Sequence, residues 1–343
     1  MTIESMPFAK LVFIQILTRL RRSTSFSISA RLLFLISRKV YYMIPFVSVI
    51  IPTYNHAKFL GRALQSVLDQ TYPSWEALVI DNHSQDDTNE VVKSFDDPRI
   101  RLLKIHNHGV IAASRNLGMR EANGEWIAFL DSDDCWYPKK LETIMMAVDL
   151  NDAYDVLSND ELRVNIKTGT KKVLRYGPYQ NDFYKVLLVE GNRLSPSAAV
   201  VRREFLVLHG ITFDESLDYV TVEDYDLWLN LASAGARFKF IPDVQGEYVI
   251  HGANNSAVLE RHWKNCETLL HDHVFNIQQF HPFPDQLWKL ISPRLRLTQV
   301  RYLVVNGQLW AALKLAVETL ISFPNGTAMC LISQIKKHSR KMN

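Results

Sequence analysis

The hydrophobic and polar positions between residues 46 and 150 follow two alternating periods, one typical of strands and the other of helices. Residues 47–51 form a short β-branched run that ends at Pro52, which is typical of a buried strand. From residue 58 to residue 70 the apolar side chains recur at helical spacing. The same alternation predicts further strands at 76–80, 100–105 and 125–130, and helices at 86–95, 110–122 and 138–150. These elements predict an α/β fold with a mostly parallel sheet and helices on both faces.

Beyond residue 155 the pattern is less regular, and from residue 259 onward it is almost wholly helical. Strands are predicted at 197–201, 238–241 and 247–250, and a helix at 224–234. We therefore divide the chain into an N-terminal extension (1–44), an α/β domain (45–256) and a helical C-terminal region (257–343).

Short polar clusters follow three of the predicted strands, at residues 52–55, 81–82 and 131–134. The carboxyl ends of parallel strands lie at one edge of a sheet, and ligands bind in the crevice beyond that edge. The three clusters are therefore expected to converge on one site.

The formal net charge of +3 combines two basic ends with an acidic centre. Residues 1–44 carry seven Lys and Arg against one acidic residue, and residues 257–343 carry eleven against five. Residues 45–256 carry 21 basic and 30 acidic residues. An acidic centre suits a cation site and disfavours nucleic acid as a partner, because phosphate contacts require clustered Lys and Arg. The basic, apolar ends are suited to an anionic membrane surface.

The first 44 residues contain apolar runs, but Lys and Arg interrupt them before any stretch reaches about 18 residues. An interfacial amphipathic segment, a helix packed on the domain and a poorly ordered extension all fit this pattern. The three widely spaced cysteines, Cys135, Cys266 and Cys330, favour a reducing compartment over a disulfide framework. We expect a cytoplasmic location, with peripheral contact to the inner face of the cell membrane as one arrangement consistent with the basic ends.

Asp131 and Asp133 are candidates for a metal site, because proteins usually hold Mg²⁺ or Mn²⁺ with carboxylates and substrate phosphates. In an extended strand their spacing places both on one face, and a turn would also direct both toward one ion. The motif is weak alone, because an acidic turn that caps the next helix has the same sequence. Asp134 is expected to cap the helix that Pro138 opens.

Four segments provide the context for this motif: SVIIPTYN at 48–55, LVIDNHS at 78–84, SRNLGMREANGEWIAFLDSDD at 114–134 and VEDYDLWL at 222–229. In order and spacing they resemble family 2 glycosyltransferases with the GT-A fold, over roughly residues 46–255. The resemblance implies a GT-A-type sheet that is Rossmann-like in its nucleotide-binding half. It also implies an inverting enzyme that uses a nucleotide-sugar donor and a divalent cation, Mn²⁺ or Mg²⁺.

By this resemblance, Pro52, Thr53 and Tyr54 line the pocket for the base and ribose of the nucleotide, and Asp81 and Asn82 complete it. Many relatives carry a second acidic residue where this chain has Asn82. Because asparagine both accepts and donates hydrogen bonds, a UDP-sugar remains the favoured donor, while the identity of the base stays open. The alternative role for Asp81 is to cap the helix that follows.

The resemblance also directs Arg115 toward the donor diphosphate or Asp131, and it includes Asp131 and Ser132 among the donor-binding residues. A solvated position on a helix face is the alternative for Arg115. Asp133 is the first choice for the metal ligand, and Asp131 supports the ion or binds the ribose. His251 resembles a histidine that approaches the metal or diphosphate in relatives, and simple exposure on a loop is its alternative.

Glu223 and Asp224 form a second acidic site. Inverting sugar transfer needs a base that takes the proton of the acceptor hydroxyl, and a carboxylate can serve. On the opposite side, a cation neutralises the leaving diphosphate. Asp224 is the first choice for the base and Glu223 the close alternative, although the helix dipole alone also favours acids in a first turn. Trp228, one turn later, is expected in the core.

These observations predict a glycosyltransferase that moves a sugar to a hydroxyl of a glycan or lipid-linked acceptor, in cell-surface polysaccharide synthesis. Two other classes remain open. A sugar nucleotidyltransferase also uses paired acids and Mg²⁺, but it normally has an early Gly- and Arg-rich phosphate loop, which residues 52–58 do not form. A catalytically inactive binding protein is disfavoured, because both acidic sites are intact in the sequence.

Overall fold

A computed structural model describes residues 47–150, 153–251 and 256–331. The predictions for residues 1–44 and for the last residues of the chain lie outside this part. The strands are β1 (Val47–Thr53), β2 (Trp75–Asp81), β3 (Ile100–Lys104), β4 (Trp126–Phe129), β5 (Cys135–Trp136), β6 (Val156–Asn165), β7 (Lys171–Leu174), β8 (Ala199–Arg202) and β9 (Phe238–Ile250). The helices are α1 (Ala57–Leu68), α2 (Thr88–Lys93), α3 (Ile111–Glu121), α4 (Lys140–Leu150), α5 (Phe183–Glu190), α6 (Arg203–His209), α7 (Glu223–Ser233), α8 (Ser256–Asp272), α9 (Pro284–Val305) and α10 (Leu309–Ser322).

The nine strands of the described residues form one sheet in the order β3-β2-β1-β4-β8-β6-β9-β5, and β7 pairs with β6. The first half is parallel, because β1 lies between β2 and β4, and β2 pairs with β3, all in the same direction. In the second half β8 is antiparallel to both β4 and β6, whereas β6 and β9 are parallel. The predicted α/β fold is confirmed, and its parallel half adjoins mixed strands.

Side chains of the central strands alternate between two buried cores, one on each face of the sheet. On one face, Val49 and Ile51 of β1 pack with apolar residues of α1 and α4. On the other face, Ile50 belongs to a cluster with residues of α3 and α7. Trp228 of α7 is fully buried in this second cluster, which confirms its expected place in the core.

The helices after β9 share a core with the sheet. Leu269 of α8 and Ile291 of α9 belong to the same buried cluster as Ile50. Between these helices, His273 Nε2 lies 3.1 Å from Asp226 Oδ1 of α7, and both side chains are buried. Helices α8 and α9 are therefore packed into one unit with the α/β domain. In the described part of the chain, no helix has both the length and the apolar composition needed to cross a bilayer.

Two predictions for the second half of the chain are wrong in detail. The strands predicted at 238–241 and 247–250 are one strand, β9. Pro242 has no N–H for the ladder, but the register with β6 shifts beyond the Asn159–Ile241 pair, so the strand continues past the proline. The strand predicted at 197–201 begins at Ala199, because residues Pro196–Ala198 form a 3₁₀ turn.

Two helical glycines test how tightly α3 packs on the sheet. A Cβ at Gly118 of α3 would lie 2.5 Å from Ile50 Cγ2, whereas a Cβ at Gly61 of α1 would lie 3.7 Å from Val91 Cγ1. We expect Gly118→Ala to lower the free energy of unfolding by about 1–3 kcal/mol through overpacking. Gly61→Ala should raise it by up to about 1 kcal/mol, because alanine favours a helix. Urea unfolding measures both, and equal values would contradict the close contact of α3 with β1.

Candidate functional site

The carboxyl ends of β1, β2 and β4 lie side by side at one edge of the sheet. Thr53 is in register with Asp81, and Ile50 is in register with Phe129. Asn82 donates its backbone N–H to the carbonyl of Thr53 at 3.0 Å. The three polar clusters predicted from the sequence therefore converge, as expected for ligand sites in parallel sheets.

The first part of the site is built around Asp81, whose side chain is fully buried. Its carboxylate accepts a hydrogen bond from the backbone N–H of Ser84 at 3.0 Å and forms an ion pair with Lys104 of β3. The alternative role of Asp81 as a helix cap is wrong, because the residue before α2 is Asp87 and the partners of Asp81 lie elsewhere.

The residues beside Asp81 differ in exposure. Pro52 and Thr53 are buried within β1, whereas Tyr54, just beyond the strand, is 52% exposed. Thr53 Oγ1 is buried and has no hydrogen-bond partner among the described residues. Asn82 Oδ1 accepts the backbone N–H of Asn107 at 2.9 Å, which ties the loop after β3 to the loop after β2.

Arg115 joins the strand-end clusters to the second acidic site. Its Nη2 lies 2.8 Å from Asp131 Oδ1, and its Nη1 lies 2.8 Å from Glu223 Oε1. The side chain is 3% exposed, so the alternative of a solvated helix-face arginine is wrong. Burial works against the charged form, but the carboxylates of Asp131 and Glu223 outweigh it and raise the pKa of Arg115 above its ordinary value.

Residues 131–134 form a turn rather than a continuation of β4, because Asp134 donates its backbone N–H to the carbonyl of Asp131 at 3.0 Å. Within this turn, Ser132 Oγ lies 2.9 Å from His56 Nδ1. Asp133 Oδ2 lies 2.9 Å from His251 Nε2. The two histidines therefore hold the turn from the side of α1 and from the end of β9.

Asp134 does not cap the helix after Pro138, and that prediction is wrong. Its side chain is buried and accepts the backbone N–H of Val249 at 2.8 Å and the hydroxyl of Ser197 at 2.6 Å. Burial, together with the nearby carboxylates of Asp131, Glu161 and Asp133, raises the pKa of Asp134 well above its usual range. The residue fastens the turn to β9, two positions before His251.

Glu223 and Asp224 lie in the first turn of α7 and face different partners. Glu223 pairs with Arg115, whereas Asp224 accepts the side-chain amide of Asn192 at 3.1 Å and the backbone N–H of Tyr225 at 2.7 Å. Burial and the charge of Glu223 raise the pKa of Asp224 to about 7, although Arg115 opposes the shift. A carboxyl with this pKa is poised to exchange a proton near neutral pH.

The candidate metal ligands are the carboxylates of the turn. Their side chains are 27% exposed for Asp131 and 23% exposed for Asp133. Within the described ranges, this turn included, no three His, Cys, Asp or Glu side chains lie close enough together to hold a metal ion by themselves. The donor set fits a hard cation that takes one or two carboxylates from the protein and the remaining ligands from phosphate and water.

Sequence reasoning did not single out several residues of this site. His56 contacts Ser132 of the turn, and the Phe59 ring stacks on His251 with centroids 4.8 Å apart. Lys104 neutralises Asp81, and Asn192 binds Asp224. These residues come from three separate segments, and no local spacing marks them, so a pattern along the chain could not have grouped them.

Comparison with known proteins is consistent with this geometry. Residues 48–207 match the family model described as glycosyl transferase family 2. A relative from Escherichia coli, UDP-Glc:alpha-D-GlcNAc-diphosphoundecaprenol beta-1,3-glucosyltransferase WfgD, is 32% identical over 185 residues, which cover 54% of this chain and 69% of the relative.

Two solved structures share the fold. Staphylococcus aureus TarS 1–349 in complex with UDP-GlcNAc superposes with a TM-score of 0.59 at 20% identity, over 82% of this chain and 81% of TarS. The mannosyltransferase PcManGT from Pyrobaculum calidifontis, in complex with GDP-Man and Mn²⁺, gives 0.56 at 19% identity, over 98% and 88% of the two chains. The expected GT-A-type architecture is confirmed.

The double ion pair of Arg115 gives a stability prediction. Arg115→Ala leaves Glu223 buried and unpaired, so we expect it to lower the free energy of unfolding by about 3–5 kcal/mol. The matched control is Arg62→Ala, because Arg62 is 48% exposed and lies 3.4 Å from Glu247. Its loss should cost less than about 1 kcal/mol. Urea unfolding separates the two variants, and similar costs would contradict a buried, tightly held Arg115.

Proposed function

Since this chain belongs to glycosyl transferase family 2 and is a glycosyltransferase, we propose that it transfers a sugar with inversion from a nucleoside diphosphate donor. The acceptor is a hydroxyl of a lipid-linked saccharide or glycan in polysaccharide synthesis. The observation that carries the proposal is the Arg115 bridge, which holds Asp131 and Glu223 on one guanidinium. The two acidic clusters therefore flank one site and can act on opposite sides of one sugar. We assign this chemistry to residues 45–256, supported by the helical region that packs on them.

We place the nucleotide at the edge formed by β1 and β2, with Pro52, Thr53, Tyr54, Asp81 and Asn82 around its base and ribose. The hydroxyl of Thr53, which has no hydrogen-bond partner among the described residues, would supply a polar group there, and the exposed ring of Tyr54 would supply a stacking surface. A UDP-sugar is the favoured donor, and two observations on other proteins support it. The E. coli relative is described as using UDP-Glc, and TarS was solved with UDP-GlcNAc.

Asp133, with Asp131, would hold a divalent cation against the donor diphosphate. The pair is partly exposed in one turn, and carboxylate oxygens are the ligands that Mn²⁺ and Mg²⁺ prefer. When bound, the ion would supply positive charge to the leaving diphosphate. His251 would orient Asp133 through the 2.9 Å contact, or join the ligand set, and Ser132 would bind the donor from the same turn.

Asp224 would act as the base. Its carboxylate would accept the proton of the acceptor hydroxyl while that oxygen attacks the anomeric carbon and the bond to the diphosphate breaks. Glu223 is the less suited of the two, because one of its oxygens is engaged by the buried Arg115. Asn192, which contacts Asp224 at 3.1 Å, would orient the base toward the acceptor.

The acceptor is proposed from the relatives. WfgD is described as acting on alpha-D-GlcNAc-diphosphoundecaprenol, a sugar on a lipid diphosphate. The direct test incubates the purified chain with Mn²⁺, a set of UDP-, GDP- and dTDP-sugars and a GlcNAc-diphosphate lipid, and follows product by mass spectrometry. We expect transfer from a UDP-sugar, loss of transfer with EDTA, and an inverted anomeric configuration in the product by NMR. Retention of configuration would refute the inverting mechanism.

Replacing the proposed base should remove turnover and its pH dependence. Because the pKa of Asp224 is raised to about 7, the carboxylate form is lost as pH falls, so kcat should rise with pH through about 7. We expect Asp224→Asn to lower kcat by about 10²–10⁴-fold and to flatten this profile. Asp243→Asn, at an exposed position of β9, is the matched control. Full transfer by the Asp224 variant would refute the assignment of the base.

The same raised pKa also predicts a stability effect. In the folded state Asp224 binds its proton more tightly than in the unfolded chain, so wild-type stability should fall as pH rises from about 4 to about 7. Asp224→Asn cannot ionise and should melt at a higher temperature than wild type above pH 7, by roughly 2–4 °C for each kcal/mol. Thermal scans at several pH values measure the difference, which should vanish at low pH.

Removal of the proposed metal ligand should weaken cation binding more than it weakens the fold. We expect Asp133→Asn to lower transfer by at least about 100-fold and to weaken Mn²⁺ binding in the presence of UDP. Calorimetric titration of UDP with and without Mn²⁺ provides the measurement. Equal Mn²⁺ affinity in the variant would move the metal site away from this turn.

A further inference from the structure

Helix α10 exposes one apolar face to solvent. Its exposed apolar side chains are Leu309, Trp310, Leu313, Val317, Leu320 and Ile321. Trp310 is 85% exposed and Ile321 is 75% exposed. At 3.6 residues per turn, the six positions lie within an arc of about 120°. The face is therefore continuous along the helix.

This face is not the one that packs α10 on the protein. Ala312 and Thr319 are buried, and they lie on a different side of the helix, where α10 contacts α9. A third side carries Lys314 and Glu318, which lie 4.0 Å apart. Continuous exposed apolar faces of this kind usually mark a surface that contacts another molecule or a membrane.

The charge of the sequence that contains α10 favours an anionic lipid surface as the partner. Residues 306–343 carry five Lys and Arg and one acidic residue, Glu318. A stretch of sequence that combines basic residues with an amphipathic helix attracts anionic lipid headgroups. A second copy of the chain would bring two sets of like charges together, which disfavours a dimer through this face.

The length of α10 fits a helix that lies along a membrane. Its 14 residues span about 21 Å, less than the roughly 30 Å of a hydrocarbon core. Trp310 has the amphipathic ring that favours the headgroup level, and Lys314 can extend its charged end toward phosphates. We propose that α10 lies in the interface of an anionic lipid bilayer, with its apolar face toward the acyl chains.

The test uses the full chain and vesicle flotation. Wild type should float with vesicles of phosphatidylglycerol and phosphatidylcholine, and float less with phosphatidylcholine alone or at high salt. Trp310→Glu combined with Ile321→Glu should lower the vesicle-bound partition by at least about tenfold. The matched control combines Ala311→Glu with Ser322→Glu, which adds the same charge at neighbouring exposed positions outside the apolar face. This control should bind within about twofold of wild type.

Several results would overturn the proposal. One is equal flotation of the Trp310 and Ile321 variant and wild type; another is equal binding of wild type to neutral and anionic vesicles. Protection of Trp310 from hydroxyl-radical footprinting without vesicles would mean that another segment or another copy covers the face. Sugar transfer to a soluble acceptor is measured on the same variants and should not change, so failure of the membrane inference and failure of the transferase proposal are distinguishable.

Discussion

The buried guanidinium of Arg115 is the interaction on which the rest of the site depends. It lies in α3 and binds Asp131, 16 positions along the chain, and Glu223, 108 positions along the chain. A charge at 3% exposure is tolerated because both partners lie at 2.8 Å. The same contact fixes the distance between the turn after β4 and the start of α7. The tight packing of Gly118 on Ile50 then fixes α3, and therefore Arg115, against the sheet.

Several carboxyl groups lie close together in this region, and the protein compensates their charges in different ways. Lys104 neutralises Asp81, Arg115 neutralises Asp131 and Glu223, and Asp134 is buried with hydrogen-bond donors on both oxygens. The negative charge of Asp224 is compensated less than those of the other carboxyl groups, and its pKa rises to about 7. Carboxyl groups in different environments can take different roles in one reaction. A carboxylate such as that of Asp224 lowers the stability of the folded protein, and such destabilising groups are common in enzyme sites.

The proposed membrane surface and the proposed acceptor have related chemistry. A saccharide on a lipid diphosphate is confined to a membrane. An enzyme that binds the membrane surface can therefore reach this acceptor without leaving the surface. No described helix has both the length and the apolar composition needed to cross a bilayer. The exposed apolar face of α10 supports the proposed interfacial contact. The two proposals rest on separate residues and stand or fall separately.

The amino-acid sequence by itself determined the first half of the sheet and the family. Short β-branched runs, helical periods and polar strand ends are local features. Each segment therefore indicates its own secondary structure without information from distant parts of the chain. The segments around residues 48–55, 78–84, 114–134 and 222–229 therefore marked both acidic clusters. Tertiary structure alone decided how those clusters relate. That Arg115 is buried between Asp131 and Glu223, that Asp134 binds Val249 rather than a helix end, and that β9 runs past Pro242 all depend on contacts between distant segments. Such contacts leave no periodic pattern in the sequence. They form only when the hydrophobic core packs and each buried charge requires a partner.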